Sequence, residues 1–481
     1  MHSSIPLSHA TTRKDQDIHL HSSRLRLLLH GTAPSGTRHP APRPRTRAPS
    51  RAETSSVMAT SSSPLPVVIV GAGISGLLLA QSLRRHGLPV RVFERDDDFT
   101  SRGVGWGLTL HWSLPALRAL LPEPLVHRIP GAYVDQAAVA AGLCSRFPFY
   151  DLSTGQLKAE TPRAPESQRI RVTREKLRRL LATGIQVEWG KAFQSFRSEN
   201  DGSVTVLFED GSHCRGCLLV ACDGTNSRLR RALFPDRHYT HGLPIRAMGL
   251  KVSLTPEQIK PILQMDPFFL QGTSSENDSF IYISVLDAPG NSDNSSGAYS
   301  CQMCVSWPYR GGFLGRAEPL DFPATNEERH KFLEELAGTW ADPFRSIIRT
   351  IPDDTDIKSL DLQDYVPPKD LRSTDRVALM GDAFHAMAMY RGEGANHAIV
   401  DVLDFSERIV PLLQKQQPGQ GEDWPAIRAA LDEYEDVVIA RARPAVLASR
   451  RACMDAHDWP KITETSPLLT RRAMMLTFDE E

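Results

Sequence analysis

Short apolar runs alternate along the chain with longer stretches whose apolar residues recur at helical spacing. Val67–Val70 and Val90–Phe93 are apolar runs typical of strands, the first of a strand buried on both faces. Ile74–His86, which lies between them, has helical periodicity. The order strand, helix, strand predicts a parallel sheet built from βαβ units.

The same alternation continues further along the chain. Arg171–Ala182 predicts a basic amphipathic helix. After Asp375 the run RVALMGD predicts another strand, followed by a helical segment that ends near residue 459. Between these two regions, strands are predicted at Gln186–Trp189, Val204–Phe208 and Leu218–Cys222.

Residues 243–310 have a different character. Phe280–Leu286 and Tyr299–Trp307 are β-rich and are joined by the turn-forming run APGNSDNSSG. This pattern predicts a second, sheet-based domain that is inserted into the first.

The first 63 residues have the composition of an appendage. Residues 1–57 hold nine Lys and Arg against three acids and are rich in Ser and Pro. Because too few apolar residues are present to offset the entropy of ordering, residues 1–63 are predicted to be disordered. We expect a dispensable extension ahead of a natural start at Met58; a mitochondrial transit peptide with Ile18–Leu29 as its amphipathic part is the alternative.

The composition of the remaining chain excludes several classes of protein. Residues 58–481 carry 47 Lys and Arg against 54 acids, which gives no electrostatic reason to expect a nucleic-acid partner. No window contains the roughly 18 uninterrupted apolar residues of a membrane helix, so no transmembrane segment is predicted. Seven cysteines, an odd number in a chain of 481 residues, do not indicate a disulfide framework, and a reducing, cytoplasmic location is expected.

Two CxxC pairs, Cys214/Cys217 and Cys301/Cys304, could formally supply the four thiolates of a zinc site. However, Cys301 and Cys304 lie in a predicted strand, where residues three positions apart point to opposite faces. No metal is expected, and the four cysteines are interpreted as structural.

The strongest motif is Gly71-Ala-Gly73-Ile-Ser-Gly76, which follows a predicted strand and opens a predicted helix. In this fingerprint the first glycine allows the tight turn, the second lets a pyrophosphate approach the backbone, and the third lets helix and strand pack closely. Glu94 ends the next strand, 18 residues after the last glycine, where a carboxylate can accept the ribose hydroxyls. These residues predict a dinucleotide-binding site.

Two further motifs follow predicted strands. Asp223 lies in the run ACDG and Asp382 in the run GDAFH, at strand ends where ligands of open α/β sheets bind. The third motif continues into RGEGAN, which contains Gly394 and Ala395 and lets the backbone press against a flat ring. The helix that begins near Asn396 would direct its positive end at that ring.

These three motifs, in this order, resemble the class A FAD-dependent monooxygenases of the para-hydroxybenzoate hydroxylase type, and most closely those of fungal secondary metabolism. By this resemblance Glu94 binds the adenosine ribose, Gly107 offers its backbone to FAD, and Arg174 contacts FAD. Asp223 lies near the pyrophosphate and Asp382 at the flavin. The full predicted cofactor-binding set is Gly71, Gly73, Gly76, Glu94, Gly107, Arg174, Asp223, Asp382, Gly394 and Ala395.

The resemblance implies an α/β fold: a discontinuous Rossmann-like FAD-binding domain with an inserted β-sheet substrate domain and a C-terminal helical segment. It covers roughly residues 66–450. The expected boundaries are 1–63 for the extension, 64–240 and 365–460 for the FAD-binding domain, 241–364 for the substrate domain and 461–481 for a tail.

The activity implied by the resemblance is monooxygenation. NAD(P)H, bound transiently, would reduce FAD; the reduced flavin would form a C4a-hydroperoxide with O2; and one oxygen atom would pass to a hydrophobic small molecule, an aromatic or polyketide-type secondary metabolite. Hydroxylation, epoxidation and Baeyer–Villiger insertion stay open. So do an oxidase or reductase without oxygen transfer and a non-catalytic flavin-binding protein, for which the missing prolines after His385 are the one indication. The oligomeric state is not predicted.

The candidate catalytic residues are Arg246 and Tyr282, which lie at positions like those of an Arg/Tyr pair in related fungal epoxidases. An arginine could orient or polarise the substrate, and a tyrosine could relay a proton. The alternative is a sheet-surface arginine and a half-buried tyrosine. His385 is interpreted as a packed, hydrogen-bonded residue beside the ring rather than as a base.

Overall fold

A computed structural model of the chain describes residues 64–101, 105–415 and 423–479. The expectations for residues 1–63, including Met58 and the segment Ile18–Leu29, lie outside the described residues. The strands are β1 Val67–Val70, β2 Val90–Phe93, β3 Gly107–Leu110, β4 Phe149–Asp151, β5 Leu157–Ala159, β6 Ile170–Thr173, β7 Val187–Glu188, β8 Phe193–Ser198, β9 Val204–Phe208, β10 His213–Gly216, β11 Leu218–Ala221, β12 His241–Gly242, β13 Ile245–Leu254, β14 Phe269–Thr273, β15 Phe280–Asp287, β16 Tyr299–Pro308, β17 Lys358–Leu360, β18 Gln363–Asp364 and β19 Val377–Leu379. The α-helices are α1 Ile74–Arg85, α2 Leu114–Leu120, α3 Glu123–Val126, α4 Gln136–Ala140, α5 Arg174–Leu181, α6 Arg228–Leu233, α7 Pro256–Met265, α8 Asn326–Gly338, α9 Phe344–Ile348, α10 Asp382–His385, α11 Gly394–Arg408, α12 Val410–Gln414 and α13 Trp424–Asp455.

A five-stranded parallel sheet carries the first and last motifs of the sequence. Its strand order is β19-β11-β1-β2-β7. All four residues of β1 are buried, as expected for the apolar run VVIV at the centre of a sheet covered on both faces. Both α1 and α11 pack their apolar residues into the same core. The predicted α/β class with a Rossmann-like unit is confirmed.

The second large sheet takes most of its strands from the part of the chain between β11 and β19, two neighbouring strands of the first sheet. Its order is β17-β13-β16-β15-β14-β4-β5, with every pair antiparallel except β14 and β4. The strands β13 to β17 come from the segment between β11 and β19, so the sheet is inserted, as predicted. One face of this sheet packs against α8 and α9. Trp307 and Trp340 lie in the resulting core, which is separate from the core of the first sheet.

Two local features differ from the predicted pattern. Residues 149–159, predicted to belong with the cofactor domain, form β4 and β5 at the end of the second sheet: β4 pairs in parallel with Gln271–Thr273, and β5 pairs with β4. The predicted helix Arg171–Ala182 begins only at Arg174, because the preceding residues pair with β3 as the strand β6. The domain boundaries themselves stay a prediction.

The C-terminal segment packs first against the core of the first sheet and then against residues of the second. The 32-residue helix α13 packs on α11, and beyond it Ile462 and Leu468 are buried. Arg391 donates hydrogen bonds to the carbonyl oxygen of Pro467 and, at 3.2 Å, to the Thr470 hydroxyl. The predicted tail is therefore part of the packed structure up to this point.

The seven cysteines are free thiols, six of them buried. Of the helices that the structure describes, none is both long and apolar enough to cross a membrane.

Candidate functional site

Four turns meet at one edge of the five-stranded sheet. Gly71 directly follows β1 and Glu94 directly follows β2, while Asp223 and Asp382 lie in the turns after β11 and β19. The pairs β1–β2, β1–β11 and β11–β19 are all parallel. Since parallel strands end at the same edge, three motifs that are distant in sequence form one cleft.

The three fingerprint glycines have different surroundings. A methyl group added at Gly71, whose φ is 111°, would lie 2.1 Å from the carbonyl oxygen of Cys222, and one added at Gly76 would lie 2.0 Å from the carbonyl oxygen of Gly71. At Gly73, no heavy atom of the described chain beyond its chain neighbours would lie within 4 Å of such a methyl group. The backbone at Gly73 thus faces open space at the N-terminus of α1, where a pyrophosphate fits.

One cavity in front of this turn is lined by five of the predicted cofactor residues, namely Gly71, Gly73, Glu94, Arg174 and Asp223. Gly76 stands behind it, in the first turn of α1. The residues that sequence reasoning assigned to the adenosine and pyrophosphate end of a dinucleotide are therefore brought together.

Glu94 is held by the glycine turn itself. Its Oε2 accepts a hydrogen bond of 2.8 Å from the N–H of Ala72, and its Oε1 accepts one of 3.2 Å from the N–H of Asp96. Arg178, which is 5% exposed, donates from Nε to the carbonyl oxygen of Ala72 at 2.6 Å and places Nη2 3.8 Å from Glu94 Oε2. Sequence reasoning missed Arg178; its position four residues after Arg174, on the same face of a helix, is the signal that could have found it.

We expect Arg178→Leu to weaken FAD binding about tenfold to hundredfold, because a buried hydrogen bond from a charged donor contributes about 1.5–3 kcal/mol and here orients both the glycine turn and Glu94. Fluorescence titration of the apoprotein with FAD measures the change. Arg179→Leu is the matched control, since Arg179 is half exposed and bonds Glu175 on its own helix. Equal affinities of the two variants would show that Arg178 does not support the site.

Asp223 shapes the cleft through the backbone. Its Oδ1 accepts a hydrogen bond of 2.6 Å from the Ser227 hydroxyl, and its Oδ2 accepts the N–H groups of Arg228 at 2.8 Å and Leu229 at 3.2 Å. Burial raises the pKa of Asp223, and these hydrogen bonds oppose the rise. The carboxylate caps α6 and fixes the turn beside the glycines, so it contributes to the wall of the cavity while its oxygens are engaged within the chain.

Asp382 and the RGEGAN turn lie together at the other end of the cleft. Asp382 is accessible to solvent, yet the protein around it raises its pKa by desolvation, while His385 and Arg174 oppose that rise. Its Oδ1 lies 3.8 Å from where a methyl group at Gly394 would stand. Gly394 and Ala395 form the first turn of α11, whose N–H groups have no acceptor within the helix and carry its positive dipole end.

A buried polar network supports this end from behind. Asp401, on α11, accepts hydrogen bonds from the N–H of Gly381 at 2.8 Å and from Nη2 of Arg441 at 2.8 Å, and it lies 2.7 Å from His385 Nε2. His385 is fully buried. The interpretation of His385 as a packed, hydrogen-bonded residue agrees with this arrangement, and the network was not found from the sequence.

Gly107 and Tyr282 lie where the two sheets approach each other. The N–H of Gly107 donates to Gln302 Oε1 at 2.8 Å, so the second sheet holds the loop that the resemblance assigns to FAD. Tyr282, which is half-buried, has its ring centroid 5.8 Å from that of Phe269 and 5.8 Å from the guanidinium carbon of Arg171. Burial raises its pKa, and Arg171 opposes the rise. A role for Tyr282 at the substrate stays a prediction.

Arg246 lies on the opposite face of the second sheet. In the register, Tyr282 pairs with Cys304 and Cys304 with Gly249, which is three residues from Arg246 on the same strand. Residues three apart on a strand face opposite sides. Arg246 instead forms an ion pair of 2.6 Å with Asp321. The sheet therefore places Arg246 and Tyr282 on opposite faces, and a catalytic role for either residue stays a prediction.

The chain that forms this cleft is similar to several known proteins. The family described as the NAD(P)-binding Rossmann-like domain matches residues 69–112. A probable FAD-dependent monooxygenase of Arthroderma benhamiae is 41% identical over 426 residues, which cover 86% of this chain and 97% of that protein. The FAD-dependent monooxygenase dbaB of Emericella nidulans is 38% identical over 360 residues, which cover 73% of this chain and 88% of that protein.

Solved structures share the fold at lower identity. The 2,6-dihydroxypyridine-3-hydroxylase of Arthrobacter nicotinovorans superposes with a TM-score of 0.64 at 17% sequence identity, covering 87% of this chain and 99% of that one. At this identity the similarity shows that the two chains share the fold.

Proposed function

The chain belongs to the FAD-dependent monooxygenases, and we propose that it uses NAD(P)H and O2 to hydroxylate or epoxidise a hydrophobic small molecule of the aromatic or polyketide type. The observation that carries this proposal is the edge of the parallel sheet, where Gly73, Glu94 and Arg174 line one cavity. Arg174 acts electrostatically on Asp382, which lies beside Gly394 in the first turn of α11. The names of the fungal relatives support the same activity.

The residues present fit FAD. The open backbone at Gly73, at the N-terminus of α1, would receive the pyrophosphate, and Arg174 lines the same cavity as a cation. Asp382 would accept hydroxyls of the ribityl chain, and Gly394 and Ala395 would face the ring with their N–H groups. When bound, FAD supplies hydride acceptance from NAD(P)H and activation of O2.

The chain's own contribution is positioning, charge and exclusion of water. The positive end of α11 would stabilise negative charge at the edge of a bound flavin ring, which would favour its reduced form. The second sheet contacts the loop that the resemblance assigns to FAD, because Gln302 accepts a hydrogen bond from the N–H of Gly107. A hydrophobic substrate would bind between the two sheets, and Tyr282, which is partly buried against the second core, would donate or relay a proton at its hydroxyl.

Nicotinamide would bind transiently. The dinucleotide fingerprint is the one at Gly71–Gly76, which lies within the matched residues 69–112 and would be occupied by FAD. NAD(P)H must then approach an exposed part of the cleft rather than a Rossmann unit of its own.

We also propose a cytoplasmic location, which the free cysteines support; targeting through residues 1–63 is the alternative.

The test is an anaerobic absorption spectrum of the protein purified from Met58, recorded before and after addition of NADPH. A bound flavin that bleaches, together with a product that carries oxygen from labelled O2, is the expected result. Bleaching without labelled product would indicate an oxidase or reductase. A flavin that no nicotinamide or candidate substrate bleaches would indicate a non-catalytic binding protein, and a protein that cannot be loaded with FAD would overturn the proposal.

A further inference from the structure

The helix α11 begins with an acid whose side chain does not cap it. Glu393 stands at the N-cap position, and its backbone carbonyl oxygen accepts the N–H groups of Asn396 at 2.9 Å and His397 at 3.1 Å, yet its side chain forms no cap hydrogen bond. A carboxylate beside a helix N-terminus is normally attracted to the free N–H groups and to the positive dipole end. Since the N–H groups of Gly394 and Ala395 have no acceptor within the helix, another interaction must keep the carboxylate away from them.

A buried arginine holds the Glu393 carboxylate elsewhere. Arg391 Nε donates to Glu393 Oε2 at 2.7 Å, and the indole N–H of Trp112 donates to Glu393 Oε1 at 3.3 Å. Arg391 is 3% exposed and Glu393 is fully buried. A buried carboxylate that leaves such an ion pair loses its counter-charge, which is strongly unfavourable. Both carboxylate oxygens are therefore engaged outside the helix.

The C-terminal segment fixes the arginine in turn. Arg391 Nη1 donates to the carbonyl oxygen of Pro467 and, at 3.2 Å, to the Thr470 hydroxyl. Because these acceptors are neutral, Glu393 supplies the counter-charge of the buried arginine. Arg472 Nε donates to the carbonyl oxygen of Arg391 at 3.3 Å, and the charges of Arg391 and Glu393 both act on this second guanidinium. The turn cluster, defined as Arg391, Glu393 and Arg472, thus holds two cations and one anion, a net charge of +1.

We propose that Arg391 is a positioning residue: it holds the Glu393 carboxylate away from the first turn of α11 and cancels its charge, which leaves the N–H groups of that turn to the edge of the flavin ring. The inference rests on the proposed function, which places the ring at Gly394 and Ala395. It deepens that function, because it assigns the residues that set how strongly the helix favours the reduced flavin.

The consequence of losing the arginine follows from the charges. Without Arg391, the Glu393 carboxylate is an uncompensated negative charge within reach of the free N–H groups of α11. Negative charge at this place disfavours a reduced, anionic ring more than an oxidised, neutral one, so the reduction potential of the flavin falls. Removing Glu393 has the opposite effect, because Arg391 and Arg472 then add their full charge to the positive end of the helix.

The test measures the midpoint potential of the bound flavin in three variants. Anaerobic titration with dithionite against a reference dye gives this potential without NADPH, O2 or a substrate. Arg391→Gln should lower the ratio of reduced to oxidised flavin at a given potential about tenfold, which is about 30 mV for a two-electron couple. Glu393→Gln should raise this ratio by a similar factor. The double variant restores the net charge of the turn cluster and should return to within about threefold of the wild type.

Two further variants separate charge from packing. Arg391→Lys keeps the charge and should stay closer to the wild-type potential than Arg391→Gln. Arg408→Gln is the matched control, because it removes the same charge at the other end of α11, about 20 Å away. Arg408 pairs with Asp404 on its own helix, and the loss of its charge should leave the potential unchanged.

Potentials that follow the net charge of the turn cluster support the inference. Equal potentials of the wild type, Arg391→Gln and Glu393→Gln overturn it, and so does a double variant that behaves like Arg391→Gln. If Arg391→Gln does not fold or holds no flavin, recovery of the flavin in the double variant supports the inference, and its loss there overturns it.

The two proposals fail separately. A flavin-loaded protein that transfers labelled oxygen, but whose potential ignores these charges, refutes the role of Arg391 alone. Potentials that follow the charges, in a protein whose flavin NADPH does not bleach, support that role and refute the proposed reaction. A wild-type protein that cannot be loaded with FAD overturns both.

Discussion

Gly73→Val is expected to abolish FAD binding while the unliganded protein stays folded. The backbone at Gly73 has φ −80° and ψ −167°, an extended conformation that valine adopts readily, and the added side chain would enter open space. That space is the one the pyrophosphate requires, together with its hydrogen bonds to the start of α1. Losing several charge-assisted hydrogen bonds should weaken binding by a factor of about 100 or more. Flavin absorption after reconstitution and a denaturant unfolding curve measure the two parts of the prediction.

Two other glycines serve as controls for this variant. Gly242→Val, at another position with open space around the added group, should keep both the flavin and the stability. Gly76→Ala should lose both, because its methyl group would lie 2.0 Å from the carbonyl oxygen of Gly71. If Gly73→Val bound FAD like the wild type, the pyrophosphate could not lie at this turn.

The second large effect is expected from Asp401→Asn, which should lower the free energy of unfolding by about 3–5 kcal/mol. Asp401 is fully buried and Arg441 is 2% exposed, so the change leaves a buried guanidinium with weaker compensation. It also weakens the acceptor for the N–H of Gly381, which sets the turn before Asp382. Denaturant unfolding measures the stability, and FAD affinity should fall with it.

Asp404→Asn is the matched control, because Asp404 also pairs with Arg441, at 3.0 Å, but is partly exposed; we expect a loss of about 1 kcal/mol in the free energy of unfolding.

The stability difference between the wild type and Asp401→Asn should depend on pH with a defined sign. His385 and Arg441 depress the pKa of Asp401 in the folded state despite its burial. The unfolded chain therefore binds more protons in acid, so the stability difference between wild type and Asp401→Asn should be full at about pH 7 and shrink below about pH 4, near the unfolded pKa. A difference under about 1 kcal/mol at neutral pH would contradict the prediction.

The local elements around the cofactor cleft were predictable from the sequence. β1 and β2 have the predicted bounds, and α1 ends one residue before the predicted helix does. Gly71, Gly73 and Gly76 occupy the three environments that their spacing implies. These features depend on residues close together in the chain, where apolar periodicity and glycine conformation act directly.

The sequence by itself therefore determined the α/β fold class and the dinucleotide-binding residues of the strand-end turns, because each of these depends on a short, local pattern. FAD as the cofactor was implied by the resemblance of the three motifs to a known family. Only the tertiary structure decided which side chains meet: it paired Arg178 with Glu94, placed Asp401 behind Asp382, turned Arg246 to the far face of its sheet and left Arg171 buried beside neutral hydroxyls. The physical reason is that such contacts depend on strand register and on packing between segments distant in the chain. A shift of one residue in register reverses the face of every side chain, and no local pattern records it.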